Sequence, residues 1–239
     1  MALSAPARDL DRYSVDELRA GGVGRIGFLQ PLLGVAGEGG GGAAQRAAAH
    51  RLVRRGLLAG SGSRWRVAGT LATTLGAVAA ARSFAGCTAV GGAGGLDRLL
   101  FGRLGATDLV LDLVPEDGVY HARLLRIPDA AEQVVDDLGL GGTAGDAAGA
   151  VTGADPEWPL VESRLEGAPV EARVEAATID SPEGPMLQQR LQVVTTGRER
   201  WLVLGACRGA EIWRAAAPCG PGRARAAIAS VLAGGTVRL

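Results

Sequence analysis

The apolar positions of this chain change period partway along it. Residues 43–58 are rich in Ala, Leu and Val at helical spacing until Gly56, and Leu71, Leu75 and Val78 repeat that spacing in a second segment from 67 to about 83. Ahead of them, Ser14 followed by Asp16 and Glu17 reads as an N-cap with acids in a first turn, which predicts a short helix over 15–20. Beyond the glycine cluster 91–95 the period becomes two. Residues 107–114 and 119–127 read as strands joined by a turn at 115–118, and Pro128 opens a helix over 129–138, because proline is tolerated at a first helical position. In 170–179 the alternation is clean, with Val170, Ala172, Val174 and Ala176 on one face and Glu171, Arg173 and Glu175 on the other. Segments 186–196, 201–206 and 210–215 continue this meander through turns at 181–185, 197–200 and 208–209, and a helix over 222–233 closes it.

These elements predict an α+β fold: a helical N-terminal part over 1–96, then a mainly antiparallel sheet with flanking helices over 97–239, interrupted by a Gly/Ala-rich linker at 139–155, with the two parts forming either two domains or one. The order strand, tight turn, strand, proline, helix occurs twice, at 107–138 and 201–233. That order predicts an internal repeat.

Composition changes the reading of charge. All 25 basic residues are Arg, neither Lys nor Asn occurs, and 38 residues are Gly, a pattern of GC-rich codons that fits an actinobacterial source. Arginine clusters therefore carry less weight as phosphate grips. The charge is nonetheless uneven, with 11 Arg and five acids in residues 1–96 against 14 Arg and 20 acids in 97–239. Cys87, Cys207 and Cys219 lack metal-ligand spacing, and no stretch reads as a secretory signal, so a reducing, cytoplasmic setting is expected. The most apolar window, 67–90, is built of Ala, Gly and Thr and holds Arg82, which reads as a buried helix and not a membrane span.

Candidate chemistry is sparse. Gly22-Val-Gly-Arg-Ile-Gly27 has the spacing of a dinucleotide-binding turn, but a helix precedes it where a strand is required, and Pro31 and Glu38 stand in the wrong context. The clusters 37–42 and 91–95 lack the Lys-Ser/Thr ending of a Walker loop. His50 and His121 have no Cys or Ser beside them, and the carboxylate pairs Glu116-Asp117 and Asp136-Asp137 sit at a turn and a helix end, where solvated charge is ordinary. No catalytic, cofactor or metal-binding residue is assigned, and no cofactor is expected. The strongest binding signal is 45–66, which holds six Arg and no acid: a helix, Arg-Arg-Gly-Leu-Leu, a turn at 60–63, then Arg-Trp-Arg-Val. It is similar to the helix and basic hairpin of a winged-helix DNA reader. The alternative is a solvent-facing helix and hairpin whose Arg are favoured by codon usage.

The layout as a whole resembles the EspG family of ESX (type VII) secretion-associated proteins. The resemblance is carried by Ser14-Val-Asp-Glu-Leu18, by Leu52-Val-Arg-Arg-Gly-Leu-Leu58 ahead of a small-residue helix, and by the two strand-and-helix units. It implies a cytosolic, non-enzymatic chaperone with a central antiparallel sheet and pseudo-two-fold symmetry, whose partner is the helical tip of a PE/PPE-type secretion substrate. No partner-binding residue is carried over from it, and the glycine-rich linkers depart from the family pattern. The leading expectation is a protein-binding module. Second stands a DNA-binding regulator using 45–66.

Overall fold

The computed structural model describes residues 8–21, 42–61, 64–89, 98–102, 104, 106–117, 119–140, 149–179, 185–197 and 199–239. The chain order begins β1 (Arg8–Ser14), α1 (Val15–Gly21), α2 (Gly42–Arg54), β2 (Leu58–Ser61), β3 (Arg64–Val67) and α3 (Gly69–Ala80). It continues β4 (Ser83–Ala89), β5 (Arg98–Gly102), β6 (Leu109–Glu116), β7 (Val119–Arg126), α4 (Ile127–Asp137) and β8 (Val151–Thr152). It ends α5 (Trp158–Leu165), β9 (Val170–Thr178), β10 (Leu187–Thr196), β11 (Glu199–Arg208), β12 (Glu211–Pro218) and α6 (Pro221–Leu232). The fold is α+β.

Two compact units are present: residues 1–81 with 111–125, and residues 82–110 with 126–239. Their outlines differ from contiguous halves 1–96 and 97–239, because the hairpin of β6 and β7 groups with the N-terminal elements. In the first unit β1 pairs antiparallel with β7, whose other neighbour is β6, and β2 pairs with β3 as a separate hairpin. The first 90 residues hold three described helices, as their period predicts, but also four strands that helical periodicity did not foresee. β1 has no alternating sequence signal, because its register shifts between Asp9 and Asp11 and breaks the alternation that would bring Leu10 and Tyr13 onto one face. β4 likewise lacks an alternating signal, because its small residues are buried or half-buried and leave no polar face to alternate with.

The second unit is a sheet in the order β5-β4-β9-β10-β11-β12-β8, with the helices α4 and α6 packed on one another. The inward rows Ala172, Val174 and Ala176 of β9, Leu187, Leu191 and Val193 of β10, and Leu202, Leu204 and Ala206 of β11 are all buried, as the alternation predicts. α5 lies in a segment with no predicted element, opened by Pro159, with Trp158 buried. Of the linker 139–155, residues 141–148 lie outside the described residues, and β8 occupies part of the remainder.

The repeated order is present as β6, β7, α4 and β11, β12, α6, with proline in the first turn of both helices. The registers make the symmetry local and specific. β4 and β9 pair antiparallel about Gly86 and Glu175, so a two-fold between them carries Cys87 onto Ala176. Cys87 pairs with Arg98 on β5, and Ala176 pairs with Gln189 on β10. Arg98 and Gln189 are therefore equivalent positions, and both are buried. Arg98 reaches Asp137 at the end of α4 (2.5 Å), while Gln189 donates to the Gly235 carbonyl (2.9 Å) and accepts from the Val237 N–H (2.8 Å) just past α6.

The end of α6 comes closest to the sheet at Gly102. Ser83, its cross-strand partner, donates to the Leu232 carbonyl at 2.9 Å. A Cβ at position 102 would stand 2.1 Å from that same oxygen. Gly102→Ala must push the helix end off β5, and we expect a loss of about 2–4 kcal/mol. Gly205→Ala, where a Cβ meets nothing within 4 Å, should stay within about 0.5 kcal/mol of the parent. Urea denaturation of the two variants checks this, and equal stabilities would contradict it.

Candidate partner-binding surface

The segment 45–66 forms α2, a short connection and the β2–β3 hairpin. α2 stops at Gly56, whose φ of +70° suits only a residue without Cβ strain, and the Gly56 and Leu57 N–H groups return to the Val53 and Leu52 carbonyls. This ending turns the chain directly into β2. Ala48 and Leu52 are buried beneath the helix, while Arg46, Ala47, His50, Val53 and Arg54 are exposed. At 100° per residue those five positions fall within about 120° of arc, one continuous outer strip. On the hairpin, Arg66 and Val67 are also exposed.

The arginines of this segment divide into two groups. Arg55 is bound inward: it lies 2.8 Å from Asp11 and 3.2 Å from the buried Glu17, donates to the Arg12 carbonyl at 2.9 Å, and stacks over the Tyr13 ring at 5.5 Å. Arg51 is 3.5 Å from the same Glu17 carboxylate. Glu17 also closes a reciprocal cap with Ser14, each side chain accepting from the other's backbone N–H. The Tyr13 hydroxyl donates to Thr70, and Thr70 donates to Asp11. β1, α1, α2 and α3 are thus tied by one polar network. Arg54 and Arg55 are neighbours in sequence but differ in role, because adjacent helix-end residues point about 100° apart.

Burial holds the Tyr13 hydroxyl neutral beyond its ordinary value near 10, an effect that the hydrogen bonds with Thr70 and Thr74 partly offset, and burial does the same for Tyr120. The carboxyl of Asp155 is held below the usual range because it accepts from the backbone and side chain of Thr152.

The remaining candidates stand apart from one another. His50 is exposed on α2, and His121 is 3.6 Å from Asp9. Cys87 and Cys219 are buried and Cys207 is half-buried. Glu116 pairs with Arg12 at 3.0 Å, Asp117 turns the β6–β7 hairpin with positive φ, and Asp137 pairs with Arg98. Residues 22–27 and the glycine clusters 37–41 and 91–95 lie outside the described residues. Among the described residues no group of three or more His, Cys, Asp or Glu could hold a metal. A small apolar cleft between the sheet and the helices of the second unit is lined by aliphatic side chains such as Leu138, Leu191, Leu202 and Ile228 and offers no polar group to a ligand. No described helix is long and apolar enough to cross a membrane.

An antiparallel α+β protein with a doubled hairpin-and-helix unit and an exposed basic helix is the class this geometry defines. No protein-family model matches the sequence, and no curated protein matches it. In fold the chain is similar to the solved structure of the Mycobacterium tuberculosis type VII secretion system chaperone EspG5 in complex with PE25-PPE41 dimer, with a TM-score of 0.52 and 13% sequence identity. The match covers 96% of this chain and 98% of that one. At this identity the likeness is one of fold.

Two outcomes are expected of the Arg55 network. Arg55→Ala strips Glu17 and Asp11 of a shared partner and should cost about 1–3 kcal/mol, whereas Arg54→Ala should change stability by under about 0.5 kcal/mol, both read from denaturant midpoints. Above pH 10, Tyr13 binds its proton more tightly folded than unfolded, so stability falls as pH rises past its ordinary pKa. In Tyr13→Phe, alkaline thermal melts should show a shallower decline between pH 9 and 11, about those limits; an unchanged slope would remove the phenol from the account.

Proposed function

We propose that this chain is a non-enzymatic protein-binding module, a chaperone of the EspG type that holds helical PE/PPE-like substrates of type VII secretion in a soluble state in the cytoplasm. The observation that carries the reading is the fold likeness over nearly the whole of both chains to a type VII secretion chaperone solved with its PE25-PPE41 dimer. Two features of the sequence add to it: Ser14-Val-Asp-Glu-Leu18 and Leu52-Val-Arg-Arg-Gly-Leu-Leu58. The first forms a capped helix and the second the α2 ending.

A second reading, DNA binding, is favoured by one observation. α2 is followed by a real two-stranded hairpin carrying Arg66, the arrangement of helix and wing. Against it, Arg51 and Arg55 are spent on internal carboxylates. The chain is also neutral overall, which gives little electrostatic attraction to a polyanion.

Co-expression with PE–PPE-type pairs from the chain's own source genome separates the readings. The expected outcome is a stable complex of one chain with one heterodimer on size exclusion, and more soluble heterodimer than without the chain. No co-elution with any such pair would contradict the chaperone reading. Duplex DNA at about 150 mM salt should show no sequence-selective binding, and affinity at roughly 10⁻⁸ M or tighter would put the regulator first.

A further inference from the structure

We infer that the exposed strip of α2, from Arg46 to Arg54, is the recognition surface for an acidic amphipathic helix of a protein partner. The inference rests on the protein-binding reading above and names the chemistry that such a partner must carry.

Placement supports a surface kept for a partner. The same helix uses Ala48 and Leu52 to pack and Arg51 and the adjoining Arg55 to bind carboxylates of its own unit, so its structural needs are met on one side. Arg46, His50 and Arg54 stand on the other side at four-residue intervals, with Val53 between them 40% exposed. The segment 45–66 itself contains no acid.

Cations beside a part-exposed valine suit carboxylates interleaved with aliphatic side chains. Arg46 and Arg54 are separated by two turns, about 12 Å along the axis, so a partner helix carrying carboxylates two turns apart can meet both while its apolar residues cover Val53. A phosphate backbone would satisfy the arginines and leave Val53 against a charged surface. Charge complementarity therefore selects an acidic helix over nucleic acid.

The test uses the full chain and two synthetic helical hairpins: one with glutamates two turns apart beside leucines, and a twin with glutamine in their place. Fluorescence anisotropy at near-physiological salt should show binding of the first hairpin only. Arg46→Glu with Arg54→Glu should weaken it at least about tenfold. Arg82→Glu with Arg238→Glu, two exposed positions in the other unit, makes the same change in net charge and should leave affinity within about twofold.

Equal binding of both hairpins, or equal loss in both double variants, would overturn the inference. So would tight duplex-DNA binding abolished by the α2 variant. The PE–PPE-type heterodimer forms a separate arm. Capture of it that survives Arg46→Glu with Arg54→Glu removes the strip and keeps the chaperone reading, while hairpin binding without heterodimer capture keeps the strip and removes that reading.

Discussion

In the larger unit the C-terminal ends of two helices are held against the sheet by side chains of its strands. A helix ends with carbonyls that have no partner within it, and burying them against β-strands is tolerable only if donors meet them. Ser83 supplies one such donor to Leu232, and Gly102 removes the side chain that would block the approach. Arg98 and Gln189, equivalent through the β4–β9 pairing, anchor the C-terminal ends of the two helix segments by different chemistry. An ionic clamp serves α4, where Asp137 is available. An amide clamp serves α6, where only backbone remains. The repeat is thus visible in positions and roles even though the residues differ.

In the smaller unit the corresponding constraint is the buried Glu17 carboxylate. A charge placed there is costly unless its partners are fixed, and Arg51, Arg55 and the Ser14 N–H meet that demand. Satisfying Glu17 uses up the inward arginines of 45–66 and fixes which side of α2 faces solvent. The exposed strip is a consequence of that division. The internal contacts of Arg51 and Arg55 hold the backbone of α2 in place, so a partner on the outer face would have to order only the side chains of the strip.

Much of this was legible in the sequence where one residue type answers one local demand. Gly56, Gly139 and Gly234 end helices with positive φ, Pro128 and Pro221 sit in first turns, and the alternation of 170–179 marks the inward face of β9. The hidden parts depended on partners distant in the chain. β1 needed its bulge to be intelligible, β5 is buried throughout, and β4 is made of small residues with no exposed position, so neither shows a polar face. Arg54 and Arg55 look alike in sequence, and only the positions of Asp11 and Glu17 distinguish a surface cation from a structural one. The equivalence of Arg98 and Gln189 has no sequence signal, since it arises from register.

Hydrogen exchange of the chain, free and mixed with a cognate PE–PPE-type heterodimer, tests the central claim of a preorganised surface on a fixed scaffold most directly. The account predicts that amides of β4, β9 and β10 exchange slowly and alike in both states, and that new protection is confined to α2 and the β2–β3 hairpin. Protection appearing instead across the sheet of the larger unit, with α2 unchanged, would contradict it.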